Sequence, residues 1–260
     1  MKNKKILIPL PAKDFDPTEA GVTFYQLTML GLEIDIATPN GEIAIPDQLM
    51  LTGKKLGIFK YSLMADKNGR LACHYMQNSK NFNQPIRYDQ IKTEEYAAIV
   101  LPGGHDKGMR EYLESKVLQE KVLEFYQANK LIAAICHGVI VLARTKEKNG
   151  KSILFDKNVT SLLKKQELLA FNLTRLYLDD YYLTYPITVE DEVISVLKNK
   201  SQFQSGLKFN HWIQTALLKR DYLGFYRDSF VLEDKNIITA RWPGDAHLFS
   251  QKIFNYLSKT

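Results

Sequence analysis

One cysteine of this chain stands in a setting that could make it a nucleophile. It is the centre of Ala134-Ile135-Cys136-His137-Gly138, which joins an apolar run to a segment with helical spacing. Small residues two positions before and after a central Cys are typical of a nucleophile elbow, a tight strand-to-helix turn that tolerates no bulky neighbours. A thiol at the start of a helix should have a pKa below its free value of about 8.5. We therefore expect Cys136 to attack electrophiles near neutral pH, and a buried structural cysteine is the alternative interpretation.

Two further polar or glycine-rich segments also follow apolar runs. Residues 14–19 lie beyond the run 5–10, and a Pro-Gly-Gly-His sequence at 102–105 follows the run 97–101. In an open parallel sheet, ligands bind beyond the carboxyl ends of the strands, where loops meet helix N-termini. We therefore expect all three segments to meet at one edge of a sheet. There, the backbone N–H of the residue after Cys136 could stabilise a developing oxyanion.

The pattern of the chain predicts an α/β fold with a parallel sheet that holds these segments. Short, apolar, β-branched runs at 5–10, 33–38, 97–101 and 131–135 are typical of strands buried on both faces. They alternate with helical patterns, as in successive βαβ units. The predicted helices cover residues 17–30, 108–129, 138–144, 168–178 and 246–257. Val117 falls on the expected inner face of the second of these helices.

The remaining parts of the chain have weaker patterns. Residues 42–95 have mixed polarity and turn signals, so we interpret them as an insertion or lid over the sheet. Residues 158–161 are a candidate strand, and 229–233 with 237–240 are a candidate strand pair. The Tyr-rich stretch 179–186 is predicted to be irregular; its rings could form core, a pocket rim or a dimer surface.

Composition and charge limit the classes of function. The 260 residues, 45% hydrophobic and 25% charged, fit one elaborated domain spanning 1–260. The net charge of +6 is scattered along the chain, so we expect no nucleic-acid partner and a weak attraction for anionic substrates. Apolar runs stay below the roughly 18 residues of a membrane span, and the Lys-rich start lacks a cleavage site. We expect a cytoplasmic protein without membrane contact.

The second cysteine is expected to be less important. Cys73, followed by His74, lies in the 42–95 insertion without helix or strand signals, so we interpret it as a surface or packing thiol. Two cysteines cannot form a disulfide framework, and neither has metal-ligand spacing. Because the chain also lacks a glycine-rich phosphate loop, we predict no metal and no required cofactor.

Taken together, these motifs resemble a known family. The 102–105 and 134–138 segments, with Glu19 at the head of the first helix, are similar to the ThiJ/PfpI family of the class I glutamine amidotransferase-like superfamily. The similarity is clearest over residues 5–41 and 95–145. It implies a flavodoxin-like, doubly wound, mostly parallel sheet with helices on both faces.

The resemblance also implies roles for particular residues. Cys136 would be the nucleophile, the carboxyl of Glu19 would hydrogen-bond its sulfur, and the N–H groups of Gly104 and His137 would form an oxyanion hole. A carboxyl beside a thiolate should have a raised pKa, so Glu19 would remain protonated and donate that hydrogen bond.

In hydrolase-like and glyoxalase-like members of the family, the His directly after the Cys is the general base, which implies that role for His137. The acid that would orient it is not evident from the sequence; Glu167 is the best positional candidate, followed by Asp180 and Glu190. His105 resembles a position in the larger members, where it could bind substrate or cap the turn.

A last segment, 241–247, opens the final predicted helix with polar and aromatic residues. Arg241 could meet an anionic group of a substrate, and Trp242 could form a pocket wall. Packing of Trp242 on the sheet edge is an equally good interpretation.

These residues fit two classes of function. As an enzyme, the chain would act on a small carbonyl or amide substrate. The insertion and the Gly-Gly-His turn resemble the longer family members and favour glyoxalase III-type chemistry, in which a 2-oxoaldehyde forms a hemithioacetal with Cys136 and becomes a 2-hydroxy acid without glutathione. Hydrolysis of an amide or peptide is the alternative reaction. The second class is a redox-sensing or chaperone-like stress protein without turnover. A homodimer is common in the family.

Overall fold

The structure is a computed structural model that describes residues 4–206 and 222–259. Its strands are β1 (Lys5–Pro9), β2 (Lys13–Phe15), β3 (Glu33–Thr38), β4 (Ile45–Pro46), β5 (Ile86–Arg87), β6 (Ala98–Leu101), β7 (Leu131–Ile135), β8 (Val231–Asp234) and β9 (Ile237–Ala240). Its α-helices are α1 (Pro17–Met29), α2 (Gln48–Thr52), α3 (Lys60–Leu63), α4 (Lys67–Gln77), α5 (Lys80–Asn83), α6 (Met109–Glu114), α7 (Lys116–Gln127), α8 (Gly138–Arg144), α9 (Lys164–Leu178), α10 (Val189–Ser195) and α11 (Ala246–Lys259).

The centre of the fold is a seven-stranded sheet with the order β5-β3-β1-β6-β7-β9-β8. Its neighbouring strands are parallel except for β8, which pairs antiparallel with β9. The crossover from β1 through α1 to β3 runs along the sheet in one direction, and the crossover from β6 through α7 to β7 runs in the opposite direction. Because crossovers between parallel strands are right-handed, these opposite directions place α1 on one face and α7 on the other. The predicted α/β class with a doubly wound, mostly parallel sheet is confirmed.

The first βαβ unit is also confirmed, and its helix begins where a cap is available. The Asp16 side chain accepts hydrogen bonds from the N–H groups of Thr18 and Glu19 at 2.7 and 2.9 Å. Pro17 occupies the first helical position, where its missing N–H costs nothing. The cap therefore fixes the start of α1 just beyond β1 and holds Glu19 in the first turn.

The prediction of one helix over 108–129 is wrong, because the chain is extended at Ser115 between α6 and α7. The Ser115 hydroxyl caps α7 by accepting a hydrogen bond from the Leu118 N–H at 3.2 Å. Restarting the helix changes its rotational phase. Val117, expected on the inner face, is consequently 40% exposed.

The 42–95 insertion contains more regular structure than its sequence suggested. It contributes α2 to α5, and its strand β5 extends the main sheet by pairing with β3. Cys73 lies within α4, so the expectation that it has no helix around it is wrong. A side chain at Gly21 of α1 would place its Cβ 2.5 Å from the Cys73 backbone nitrogen, so the two helices cross in close contact. Cys73 is a packing thiol, and burial raises its pKa to about 12.

Beyond α8 the predictions have mixed outcomes. Residues 158–161 do not form a strand; Val159 makes an isolated bridge to Phe203, and the Thr160 N–H donates to the Thr239 side chain at 3.0 Å. Helix α9 begins four residues before the predicted start, without a side-chain cap that the sequence could have revealed. The β8–β9 strand pair is confirmed.

Within the described ranges, no helix is long and apolar enough to cross a membrane.

Candidate active site

Three connections bring polar groups together at the carboxyl edge of the sheet, where β1 and β6 form the topological switch point. Cys136 follows β7, Glu19 lies in the first turn of α1, and Gly103 follows β6. The Gly103 N–H donates a 2.7 Å hydrogen bond to Oε2 of Glu19. A Cβ at Gly103 would lie 2.7 Å from the His137 nitrogen and 2.9 Å from the Cys136 Cβ. Only glycine allows the three segments to approach this closely.

The turn at Cys136 has the shape expected of an elbow. Cys136 adopts a φ of 58°, a left-handed conformation that is uncommon for a residue with a side chain. Its N–H donates to the Ala240 carbonyl of β9 at 3.1 Å, which ties the turn to the sheet. A Cβ at Gly138 would lie 2.1 Å from the Leu101 carbonyl oxygen, which explains why a small residue is needed two positions after the Cys.

The predicted low pKa of the Cys136 thiol is wrong. The side chain is only 3% exposed. Burial raises the thiol pKa well above its ordinary value, and the nearby carboxyls of Glu19 and Asp16 raise it further; a hydrogen bond from the His137 N–H acts in the opposite direction, and one with the Glu19 carboxyl adds to the increase. The sequence indicates the helix N-terminus, which would lower the thiol pKa. It does not indicate that the fold excludes water from the sulfur, which raises the pKa. The resting group is therefore a protonated thiol.

His137 is placed to accept a proton from that thiol. Its Nδ1 lies 3.5 Å from the Cys136 sulfur, and its Nε2 lies 3.1 Å from Oγ1 of Thr184. The Thr184 hydroxyl has one proton, and it donates this to the His105 carbonyl at 2.6 Å. Oγ1 must then accept from Nε2–H, which leaves the lone pair of Nδ1 facing the sulfur. Burial, and then the charge of His105, lower the His137 pKa to about 3, so the imidazole is neutral.

Among the three acids considered for orienting His137, the structure brings Glu167 to it. Its Oε1 lies 4.0 Å from Nε2 of His137. Burial raises the Glu167 pKa to about 7, against a hydrogen bond from the Val189 N–H that lowers it. Asp180 instead forms an exposed ion pair with Lys107 at 2.5 Å. Glu190 is also placed elsewhere; its Oε2 accepts from the Lys164 N–H at 2.9 Å.

The sulfur opens onto a small cavity of about 70 Å³. This is far below the roughly 300–1,000 Å³ of pockets that hold drug-sized ligands. Met50 of α2 and Leu63 of α3 line it from the insertion, and Trp242 lines it from the opposite end of the chain. The insertion therefore covers the Cys136 side chain, and Trp242 is a wall of the cavity that also packs over Gly244.

His105 lies in the same cavity and is held by aromatic neighbours. Its ring stacks on Tyr182 at a centroid distance of 4.5 Å and an interplanar angle of 17°, and it meets the edge of Tyr181 at 4.8 Å. Burial lowers its pKa to about 4. The Tyr-rich loop is thus irregular in backbone, as predicted, and its rings support a cavity residue.

Arg241 does not face the cavity. Its guanidinium forms a buried ion pair with Asp245, with an Nε to Oδ2 distance of 2.9 Å, and also donates to the backbone carbonyls of Ser205 and Asp228. The expected contact with a substrate anion is replaced by this internal network, because Asp245, four residues later, neutralises the charge.

Gly104 has a φ of 154°, and a Cβ there would lie 2.5 Å from the Asp14 carbonyl oxygen.

Two polar residues at the site were not identified from the sequence. Thr184 lies in the Tyr-rich loop 47 positions from His137, and Gln166 lies in the helix beside Glu167. Neither belongs to a motif, and only the tertiary fold brings them to the cavity. In the part of the chain that the structure describes, no group of three or more His, Cys, Asp or Glu is arranged to hold a metal ion.

Comparisons with known proteins connect the chain to a family and to relatives of similar sequence. A family model described as ThiJ/PfpI family-like matches residues 10–206. An uncharacterized protein of Methanocaldococcus jannaschii is 31% identical over 153 residues, 58% of each chain. The glutathione-independent glyoxalase hsp3102 of Schizosaccharomyces pombe is 25% identical over 162 residues, which are 58% of this chain and 64% of that protein. The chain thus spans less than two thirds of these relatives.

A solved structure matches over a greater length. The crystal structure of glyoxalase III from Candida albicans has a TM-score of 0.65 at 15% sequence identity, and the match covers 97% of this chain and 96% of that one. At this identity the likeness is one of fold.

Proposed function

The chain belongs to the ThiJ/PfpI-like family, and on that premise we propose that it is a glyoxalase III-type enzyme that converts a 2-oxoaldehyde into a 2-hydroxy acid without glutathione. Several relatives are named glutathione-independent glyoxalases. The observation that carries the proposal is the arrangement around one sulfur: Nδ1 of His137 lies 3.5 Å from it. The Glu19 carboxyl is close to the same side chain, since a Cβ at Gly103 would lie 2.9 Å both from the Cys136 Cβ and from Oε2 of Glu19.

The first step is addition of the Cys136 thiol to the aldehyde carbon, C1. Because the thiol is protonated at rest, His137 must accept its proton as the S–C1 bond forms and the carbonyl electron pair moves to oxygen. The N–H groups of Gly104 and His137 would stabilise the oxyanion, which then takes up a proton to give the hemithioacetal. A neutral imidazole with its lone pair toward sulfur is suited to this step.

The second step moves hydrogen from C1 to C2. A base removes the C1 proton, the electron pair forms a C1–C2 double bond, and the former C2 carbonyl oxygen takes up a proton to become an enediol hydroxyl. Protonation at C2, together with loss of the C1 hydroxyl proton, then restores a carbonyl at C1 and gives the thioester of a 2-hydroxy acid. C1 is oxidised and C2 is reduced, so no external electron acceptor is needed. Either His137 or Glu19 carries the proton between the carbons.

Water then attacks the thioester carbon, the S–C1 bond breaks, and the thiol of Cys136 recovers its proton. The net reaction adds one water to the 2-oxoaldehyde and releases a 2-hydroxy carboxylate and a proton. No step uses a cofactor.

The alternative functions are less well supported by the same geometry. A cavity of about 70 Å³ favours a small carbonyl compound over a peptide. Oxidation of cysteine follows thiolate character and exposure, whereas this thiol is buried and has a raised pKa. The first observation favours the glyoxalase-type reaction over the hydrolase, and the second favours the enzyme over the redox sensor.

The test is product analysis. Purified protein is incubated with methylglyoxal in the absence of glutathione, and lactate is measured by proton NMR; parallel samples receive a chromogenic amide or hydrogen peroxide. We expect lactate from the wild type and none above background from Cys136→Ser. Amide cleavage without lactate would instead support the hydrolase. Selective sulfinic acid formation at Cys136 without turnover of either compound would support the sensor.

A further inference from the structure

Gln166, a residue of the cavity lining, has unused hydrogen-bonding groups. It lies in the first turn of α9, lines the same cavity as Cys136, and is only 5% exposed. Both Nε2 and Oε1 of its amide are buried, and neither has a hydrogen-bond partner among the described residues. A buried polar group without a partner is costly. The amide is therefore suited to a partner that arrives with a ligand.

A second unused group lies in the same cavity. Nε2 of His105 is buried and has no hydrogen-bond partner within the described ranges. Its ring is fixed by the stack on Tyr182. The cavity therefore offers hydrogen-bonding groups in addition to those near the thiol. A bound molecule needs more than one oxygen atom to form hydrogen bonds with both of them.

The charges of the lining groups restrict that molecule further. The carboxyls of Asp16 and Glu167 line the cavity, and none of the described lining residues is Lys or Arg. Arg241, the nearest basic candidate from the sequence, is neutralised by Asp245. The positive residues that give the chain its net charge of +6 are thus absent from the described lining of the cavity. An anion would be desolvated beside carboxyls without a compensating cation, which is unfavourable.

We propose that the Gln166 amide binds the second oxygen of an uncharged substrate that carries oxygens on two adjacent carbons, and that the cavity excludes carboxylate analogues. This inference rests on the proposed function and names its substrate class. An amide suits both states of the second oxygen: its NH₂ donates to a C2 carbonyl, and its carbonyl accepts from the C2 hydroxyl that forms during proton transfer. A Lys at this position could only donate, and an ionised Glu could only accept.

The first experiment compares turnover with thiol reactivity in Gln166→Met. We expect kcat/KM for methylglyoxal to fall about 10- to 100-fold, as for loss of a buried hydrogen-bond partner. The rate of alkylation of Cys136 by acrylonitrile, a small electrophile without oxygen, should stay within about twofold of the wild-type rate, because this rate depends on the thiol alone. Gln119→Met is the matched control, since Gln119 is also buried but lies in α7 with its amide bonded to the Leu113 carbonyl. An unchanged kcat/KM, or an equal fall in both rates, would overturn the assignment.

The second experiment measures binding without turnover, in a Cys136→Ser background. Hydroxyacetone and glycolate both have oxygens on adjacent carbons, but only glycolate is charged. We expect hydroxyacetone to bind at least about 10-fold more tightly by calorimetry at pH 8, and Gln166→Met to weaken its binding about 10-fold. If the wild type makes no lactate but these differences hold, the proposed function fails and the Gln166 assignment stands. If lactate forms but glycolate binds equally well, or Gln166→Met does not weaken binding of hydroxyacetone, the assignment fails.

Discussion

The two cysteines of this chain occupy environments that are alike in polarity and different in geometry. Both thiols are buried, both have raised pKa values, and the carboxyl of Asp16 contributes to each increase. Cys73 lies inside helix α4 against the backbone of Gly21. Cys136 lies on a left-handed turn with an imidazole nitrogen 3.5 Å from its sulfur. Burial and thiol pKa therefore do not separate the two cysteines; the neighbouring imidazole and the shape of the turn do.

The largest expected effect tests that comparison directly. Cys136→Ser should lower kcat for methylglyoxal by at least about 1,000-fold, because the nucleophile is lost. Cys73→Ser should leave kcat within about twofold, and should lower the free energy of unfolding by about 1–3 kcal/mol, because a hydroxyl is buried among apolar groups. Steady-state kinetics and urea unfolding measure the two effects. Equal losses of activity in the two variants would mean that the environments do not differ in the way described.

A smaller effect isolates the proton acceptor. Thr184→Val removes the group that accepts from Nε2–H of His137, so the imidazole can turn its protonated nitrogen toward the sulfur. General base catalysis contributes roughly 100- to 10,000-fold, and we expect kcat to fall about 100-fold with little change in KM. Thr184→Ser should restore most of the activity.

The matched control for Thr184→Val is Thr174→Val in helix α9. Thr174 is equally buried, and its hydroxyl donates to the Ala170 carbonyl at 2.7 Å, away from His137. Its kcat should match that of the wild type. A Thr184→Val enzyme with wild-type kcat would show that Thr184 does not set the tautomer.

The last expected effect concerns the acid behind the imidazole and appears in stability rather than in turnover. The pKa of Glu167 is raised from 4.5 to about 7. The folded state therefore favours its protonated form, and this contribution to stability is complete below about pH 4.5 and is lost as pH rises toward 7. Glu167→Gln removes this pH dependence. The difference in free energy of unfolding between the variant and the wild type should therefore shift by about 3 kcal/mol in favour of the variant between pH 4 and pH 8. Urea unfolding at pH 4 and 8 measures this, and a pH-independent difference would contradict it.

The elements that carry Cys136 could be predicted because their signals are local. The buried strand β7, the small residue at Gly138 and the Asp16 cap are each visible within a few residues of sequence. The same local reasoning misjudged the thiol pKa, because the cover that excludes water comes from Met50 and Leu63, far away in the chain.

Where tertiary contacts dominate, the sequence was less informative. Thr184 and Gln166 belong to no motif and reach the cavity only through the packing of a loop and a helix. Helix α4 was missed because residues 66–69 have the composition of a turn, whereas Asp66 caps the helix by accepting a hydrogen bond from the Gly69 N–H at 2.7 Å. Its packing depends on the close crossing at Gly21. The segment 158–161 has strand-like residues, but its Thr160 N–H is bonded to the Thr239 side chain rather than to a strand.

The carboxyl groups in the cavity wall have a consequence for the end of the catalytic cycle. In the proposed reaction, a neutral 2-oxoaldehyde would meet no repulsion when it enters, whereas its product would ionise once water releases it from the sulfur. Asp16, and Glu167 at pH values above its pKa of about 7, would then repel this anion. Accumulated 2-hydroxy acid should therefore leave readily and be a poor inhibitor.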